Sequence, residues 1–185
     1  MPPDALEIVL PKVAQALPRC RLGDWPTPIE PLALPGQDDL YVKREDLSSA
    51  AYGGNKVRCL EPVLGALKER GVTQIWATGA WGSNQAVATA VHGRRMGFEV
   101  GAALFPQPPS QAAADNLRAL AGVVDTLWCL RSIVQFPYLF LALRGNGATI
   151  PPGAATARGA LGHLSAALEV ALAVEKGEMP PPKQV

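Results

Sequence analysis

Lys56 follows Gly53-Gly54-Asn55 and opens a run in which Val57, Leu60, Val63, Leu64 and Leu67 recur at helical spacing. A primary amine fixed at a helix start can form a Schiff base with a carbonyl compound if its surroundings keep it deprotonated. Two glycines ahead of it let the chain approach a flat ring closely. The same residues also describe a surface lysine after a flexible loop, and the motif alone does not separate the two.

A second group, Gly82-Ser83-Asn84-Gln85, stands where a strand pattern gives way to a helix pattern, just after Ala77-Thr78-Gly79-Ala80-Trp81. Helix N-termini attract anions through unpaired N–H groups and the macrodipole, and Ser, Asn and Gln add side-chain donors. In a parallel sheet this is the carboxyl edge of the strands, where ligands bind. The alternative is Ser83 as an N-cap with no ligand. Neither G-x-G-x-x-G nor G-x-x-x-x-G-K-[ST] occurs, which disfavours a nucleotide-binding module.

The other polar groups read more plainly. Lys43-Arg44-Glu45-Asp46 is a dense charge cluster whose role is structural, tying a loop to its neighbours or forming a solvated turn. His92 and His163 lie on apolar helices and read as packed or surface residues, while Trp76 and Trp128 fall in strands and read as core. Trp81 stands beside the anion-binding candidate and could line a pocket. Cys20, Cys59 and Cys129 form no C-x-x-C pair, and with two histidines they give no zinc-ligand spacing, so no metal is expected.

These residues need a scaffold, and the pattern supplies one. Six prolines between Pro11 and Pro35 break the first forty residues into an extended arm with short elements, and Leu40 to Lys43 is a short strand. A helix spans Lys56 to Arg70 and stops at Gly71. Strands at Thr73–Thr78, Phe98–Phe105 and Val124–Leu130 then alternate with helices at Ser83–Met96 and Ser110–Leu120. That alternation predicts α/β architecture, an open parallel sheet with flanking helices and right-handed crossovers. A mixed helical stretch reaches Arg144, Ala148 to Thr156 reads as a loop, and a long apolar helix runs from about Ala160 to Lys176. No internal repeat or low-complexity tract is found.

The 185 residues, 48% hydrophobic and 18% charged, suit a folded core. A net charge of +1 with scattered basic residues gives no reason to expect nucleic acid or an anionic membrane as partner. The most apolar stretch, Ile133 to Leu143, falls short of the roughly 20 residues of a bilayer span. The start Pro2-Pro3-Asp4 is no signal-peptide pattern, and the cysteines read as reduced thiols, so a cytoplasmic location is expected.

Taken in order, Trp25-Pro26-Thr27-Pro28-Ile29-Glu30-Pro31-Leu32, Leu40 to Leu47, Gly53-Gly54-Asn55-Lys56-Val57-Arg58 and Gly82-Ser83-Asn84-Gln85 resemble one family. It is the 1-aminocyclopropane-1-carboxylate deaminase and D-cysteine desulfhydrase group of tryptophan synthase β-like, fold type II, pyridoxal-phosphate (PLP) enzymes. The resemblance runs from about Pro26 onward and includes Ile150-Pro151-Pro152-Gly153 and Gly159-Ala160-Leu161-Gly162. It implies that Lys56 holds PLP as a Schiff base and shuttles a proton at the substrate carbon. It implies that Asn84 hydrogen-bonds the 3′-oxygen of the cofactor, and that Ser83, Asn84 and Gln85 receive the substrate carboxylate. Lys56 and Ser83 are the catalytic candidates. Gln85 leans towards the deaminase side, since many desulfhydrase-like members carry His there, whereas Val87 stands near where an Arg is common.

The resemblance also implies a division into residues 1–57 (arm and part of a large domain), 58–147 (small α/β domain) and 148–185 (a return into the large domain). The glycine-rich phosphate loop and catalytic tyrosines of the family find no match in these residues, and Met179 to Val185 looks like the lead-in to a strand. The expectation is therefore the N-terminal portion of an enzyme that releases ammonia and a 2-oxo acid from a small amino acid, a homodimer at full length. The competing expectation is an inactive α/β fragment or scaffold.

Overall fold

A computed structural model describes residues 3–36, 39–137 and 147–183. Its proline-rich start makes two short helices, α1 (Ala5–Val9) and α2 (Pro11–Ala16), and an antiparallel pair of β1 (Ile29–Pro31) with β2 (Tyr41–Lys43). Asp4 caps α1 in a capping box with Glu7, and Pro11 occupies the first turn of α2, where no N–H is needed.

From here helix and strand alternate as the periodicity predicts: α3 (Lys56–Glu69), β3 (Gln74–Ala80), α4 (Asn84–Arg95), β4 (Glu99–Phe105), α5 (Gln111–Ala121) and β5 (Thr126–Cys129). Ser83 and Ser110 cap α4 and α5 by accepting from the N–H groups of Ala86 and Ala113. Gly71 and Gly97, just past α3 and α4, take φ of +70° and +80°, the left-handed conformation that ends a helix cheaply only with glycine.

Beyond β5 come β6 (Gly147–Ile150) and α6 (Ala157–Glu175). The sheet is parallel, in the order β5-β4-β3-β6. The α/β fold with an open parallel sheet between helices is as the sequence predicts. The middle residues of β3 and β4 are buried on both faces, as in a parallel sheet covered by helices. Ile75, Val100, Ala102 and Leu104 meet Leu60 and Leu64 of α3 and Ala86, Val87 and Ala90 of α4 in one core.

Two expectations are corrected. The segment from Ala148 is not all loop, because 147–150 pairs in parallel with β3 from Gln74 to Ala77. Gly147-Ala148-Thr149-Ile150 is too short and small for its own pattern to show a strand, and pairing to a central strand makes it one. Trp128 is 37% exposed rather than core, since β5 is an edge strand, although its ring lies 4.7 Å from that of Trp76. Among the described residues, one helix, α6, is long and apolar enough to cross a bilayer by length and composition. Yet α6 packs along α3 and buries Glu169 in ion pairs. Of the helical stretch expected up to Arg144, Ile133–Gln135 is a 3-10 turn and residues 138–146 lie outside the described residues.

The α3–α6 contact has a local cause. Pro62 sits inside α3, where its missing N–H leaves the Arg58 carbonyl without its helical donor. Gly162 of α6 comes against that carbonyl so closely that a Cβ would lie 2.1 Å from it. The proline opens the backbone and the glycine fills the approach.

Candidate active site

Two helix starts 28 positions apart in sequence converge on one cleft. Its volume is about 460 Å³, within the range of small-ligand sites, and its walls include Lys56, Asn84, Tyr52 and Gly53-Gly54-Asn55, with Glu45 and Asp46 at the side. Lys56 is the first residue of α3 and is half-buried. None of the ion pairs or side-chain hydrogen bonds among the described residues engages its amine.

The loop before Lys56 is built, not slack. Gly54 N–H donates to the Ser48 hydroxyl (3.0 Å) and to the Glu45 carbonyl (2.8 Å). Gly53 packs so tightly that a Cβ would lie 2.0 Å from the Asp46 carbonyl oxygen, and Gly54 adopts φ of +120° with open space beyond it. The two glycines thus have separate reasons: the first for a close backbone approach, the second for a conformation L residues rarely take.

The charge cluster expected to be structural holds this loop. Arg58, two residues after Lys56 and 2% exposed, donates from Nε to Glu45 (2.6 Å) and forks onto Glu169 of α6 (2.9 and 2.8 Å). Its guanidinium lies 3.9 Å from the centre of the Trp25 ring, and Lys43 completes the group at 2.6 Å from Glu169. Burial pushes the Glu45 carboxyl up, but the hydrogen bonds and charge of Arg58, with Thr27 and Lys43, pull it further down, below its ordinary range. Arg44 pairs with Glu30 and Asp46 at the exposed edge.

At the second helix start the three predicted residues part company. Asn84 faces the cleft, and its Oδ1 accepts from Tyr52 (3.3 Å) and from Asn116 of α5 (2.7 Å). Ser83 is half-buried and spends its hydroxyl on the cap. Gln85 is 3% exposed, its Nε2 donates to Thr89 (2.7 Å), and its buried Oε1 has no partner. Neither Ser83 nor Gln85 lines the cleft that holds Lys56 and Asn84. The half-buried Trp81 does not line it either, and its indole N–H is buried without a partner.

Other groups near Lys56 escape the sequence. Cys59, one turn along α3, puts its sulfur 3.0 Å from Nε2 of His163 on α6. Burial raises the thiol, with Lys56 opposing. Burial and the Lys56 charge lower the imidazole, so both are neutral at neutral pH. His92, lowered by burial, donates from Nε2 to the Tyr52 carbonyl (2.9 Å) and pins the cleft loop to α4. Each pair joins residues 40 or more positions apart, and no local pattern marks it. No group of metal-ligating side chains occurs among the described residues.

With that geometry in view, the relatives can be compared. A protein of Pyrococcus abyssi named "Putative 1-aminocyclopropane-1-carboxylate deaminase" is 34% identical over 182 residues, covering 90% of this chain and 54% of that protein. The D-cysteine desulfhydrase of Salmonella paratyphi A is 30% identical over 175 residues, covering 86% of this chain and 53% of the enzyme. A crystal structure of an ACC deaminase homologue superposes with a TM-score of 0.70 and 28% identity, covering 92% of this chain and 54% of that one. The chain is homologous to the 1-aminocyclopropane-1-carboxylate deaminase and D-cysteine desulfhydrase enzymes. Its fold is that of these enzymes, fold type II, and it spans about half the length of the curated relatives it matches. The nocardicin C-9′ epimerase of Nocardia uniformis subsp. tsuyamanensis is 44% identical over 107 residues, covering 58% of this chain and 33% of the enzyme. No family model matches the chain.

Proposed function

We propose that this chain carries the cofactor lysine and part of the substrate cradle of a PLP-dependent deaminase or lyase. Its substrate is a small amino acid of the 1-aminocyclopropane-1-carboxylate or D-cysteine type, and its products are ammonia and a 2-oxo acid. The observation that carries this is the convergence of Lys56 and Asn84, from two helix starts, on one cleft. An unpaired amine beside an amide donor, behind a glycine loop with open space, fits the aldehyde end of such a cofactor.

Bound there, PLP supplies an electron sink for negative charge on the substrate carbon next to nitrogen. Lys56 would hold the cofactor through its side-chain amine, and the same amine would move the proton at that carbon. Asn84 would donate from its carboxamide to the cofactor's ring oxygen. The N–H groups of Asn84 and Gln85 at the start of α4, free of helical acceptors, would receive the substrate carboxylate, together with the Ser83 hydroxyl, which accepts at the cap and keeps its proton to donate. The Gln85 side chain, buried and bonded to Thr89, stays outside that cradle. Among the described residues lining the cleft Lys56 is the only cation, so we further propose that the 185-residue chain by itself binds the phosphate weakly and turns over little.

Borohydride treatment with PLP, followed by peptide mapping, tests the assignment: the pyridoxyl label is expected on Lys56, and label on Lys43 or Lys68 instead would refute it. The likeness to the epimerase favours a second reading, in which the proton leaves and returns on the other face. Candidate amino acids incubated in deuterium oxide with the intact enzyme separate the two. Ammonia and a 2-oxo acid are expected, whereas inverted, deuterated amino acid without ammonia would favour epimerisation.

A further inference from the structure

Asn84 faces the cleft with a carboxamide whose two ends have opposite hydrogen-bonding character, and the chemistry of the site depends on which end points inward. The surrounding bonds decide it. Asn116 of α5 reaches both the Gly82 carbonyl (2.9 Å) and the Asn84 side chain (2.7 Å) through one atom. A backbone carbonyl only accepts, so that atom is the NH2 of Asn116. An NH2 only donates, so what it meets on Asn84 is the carbonyl oxygen. The Tyr52 hydroxyl, 3.3 Å away, donates to the same oxygen. Both acceptor positions of Oδ1 are thereby taken, and the Asn84 NH2 has no hydrogen-bond partner among the described residues.

We infer that Asn116 is a positioning residue: with Tyr52 it fixes the Asn84 carboxamide so that its NH2, not its oxygen, is presented to the Lys56 cleft. Asn116 lies 32 positions from Asn84 and a helix away from the cleft wall. Among the described residues its side-chain hydrogen bonds go to the Gly82 carbonyl and to Asn84, and of these only Asn84 lines the cleft. The anchor is the Gly82 carbonyl, whose place is set by a tight contact: a Cβ on Gly82 would lie 2.7 Å from Ala113 of the same helix α5. The register of α5 against the turn before α4 therefore sets the polarity of the cleft. The inference extends the proposed function, in which that NH2 donates to the ring oxygen of the cofactor.

The first test needs no cofactor. In 15N-asparagine-labelled protein, the Asn116 NH2 protons are expected to exchange slowly and those of Asn84 fast. Asn116→Asp offers only acceptors, so Asn84 should turn over and its NH2 protons become protected. Asn116→Leu removes the anchor without a replacement, and the Asn84 side chain should lose order in 15N relaxation. Protected Asn84 protons in the wild type, or an Asn84 signal unchanged in both variants, would overturn the inference; should the aspartate variant not fold, the leucine variant decides. The second test titrates the absorbance of the Lys56 adduct with PLP against pH. Losing a donor to the charged ring oxygen raises the midpoint by about one pH unit in Asn116→Asp, and Tyr52→Phe should move it less. An unmoved midpoint overturns the positioning role. Absence of any wild-type adduct sinks the proposed function instead, and the exchange result still decides how Asn84 is held.

Discussion

Replacing Arg58 by methionine keeps most of its bulk and removes its charge. In the folded protein Arg58 makes four short hydrogen bonds to two carboxylates and lies against the face of Trp25. Removing one member of a buried ion pair costs about 3–5 kcal/mol, because the partner charge stays behind unpaired. Two features place the expected loss at the lower end. Lys43 still reaches Glu169 at 2.6 Å, and the Glu45 side chain, 19% exposed, can recover some water. A loss of about 3 kcal/mol corresponds to roughly 6–12 °C in Tm for a chain of this size. Thermal and urea unfolding of Arg58→Met measure it, beside Glu169→Met and the double variant. The double variant, in which Glu169 is no longer left charged, should recover part of the loss, giving a coupling between the sites of about 1–3 kcal/mol. High salt should change little, since the pair is shielded from solvent. A single-variant loss below about 1 kcal/mol, or strictly additive losses, would show that Arg58 does not hold the charged group together.

Three further outcomes are expected. Glu61 accepts from Trp25 Nε1 and the Leu22 N–H (both 2.8 Å) and from the Gly23 N–H (3.2 Å), and burial raises its pKa despite these bonds. A raised folded-state value means that the native state holds the proton longer than the unfolded one. This group's contribution to stability is therefore full below the ordinary glutamate range and is lost as pH rises through the folded value. Glu61→Gln should flatten that part of the stability profile in urea unfolding, and an unchanged slope would contradict the burial effect. Gly53→Ala, whose Cβ meets the Asp46 carbonyl, should lower Tm and Lys56 labelling more than Gly54→Ala, which meets only strain; equal effects would deny the close approach. Gly162→Ala should cost about 1–3 kcal/mol or more by forcing α6 off the Arg58 carbonyl, and a wild-type melting curve would refute that contact.

The sequence by itself determined the alternation of helix and strand, the two serine caps, the glycine stops and the candidacy of Lys56 and Ser83-Asn84-Gln85. All of these rest on local periodicity or on residues acting within a turn of themselves, so they are visible in a short window. It also carried the four ordered motifs by which the homology is legible. Tertiary structure decided what those residues face. Asn84 reaches the cleft while Gln85, its neighbour, turns into the core, because successive helix positions point about 100° apart and only the packed sheet says which direction is inward. Strand β6 exists because a central strand offers it a ladder. Arg58 reads as one more charge in a motif until α6 brings Glu169 to it from 111 positions away. Asn116 carries no motif at all, and its hold on Asn84 arises only where two helices and a turn meet in space.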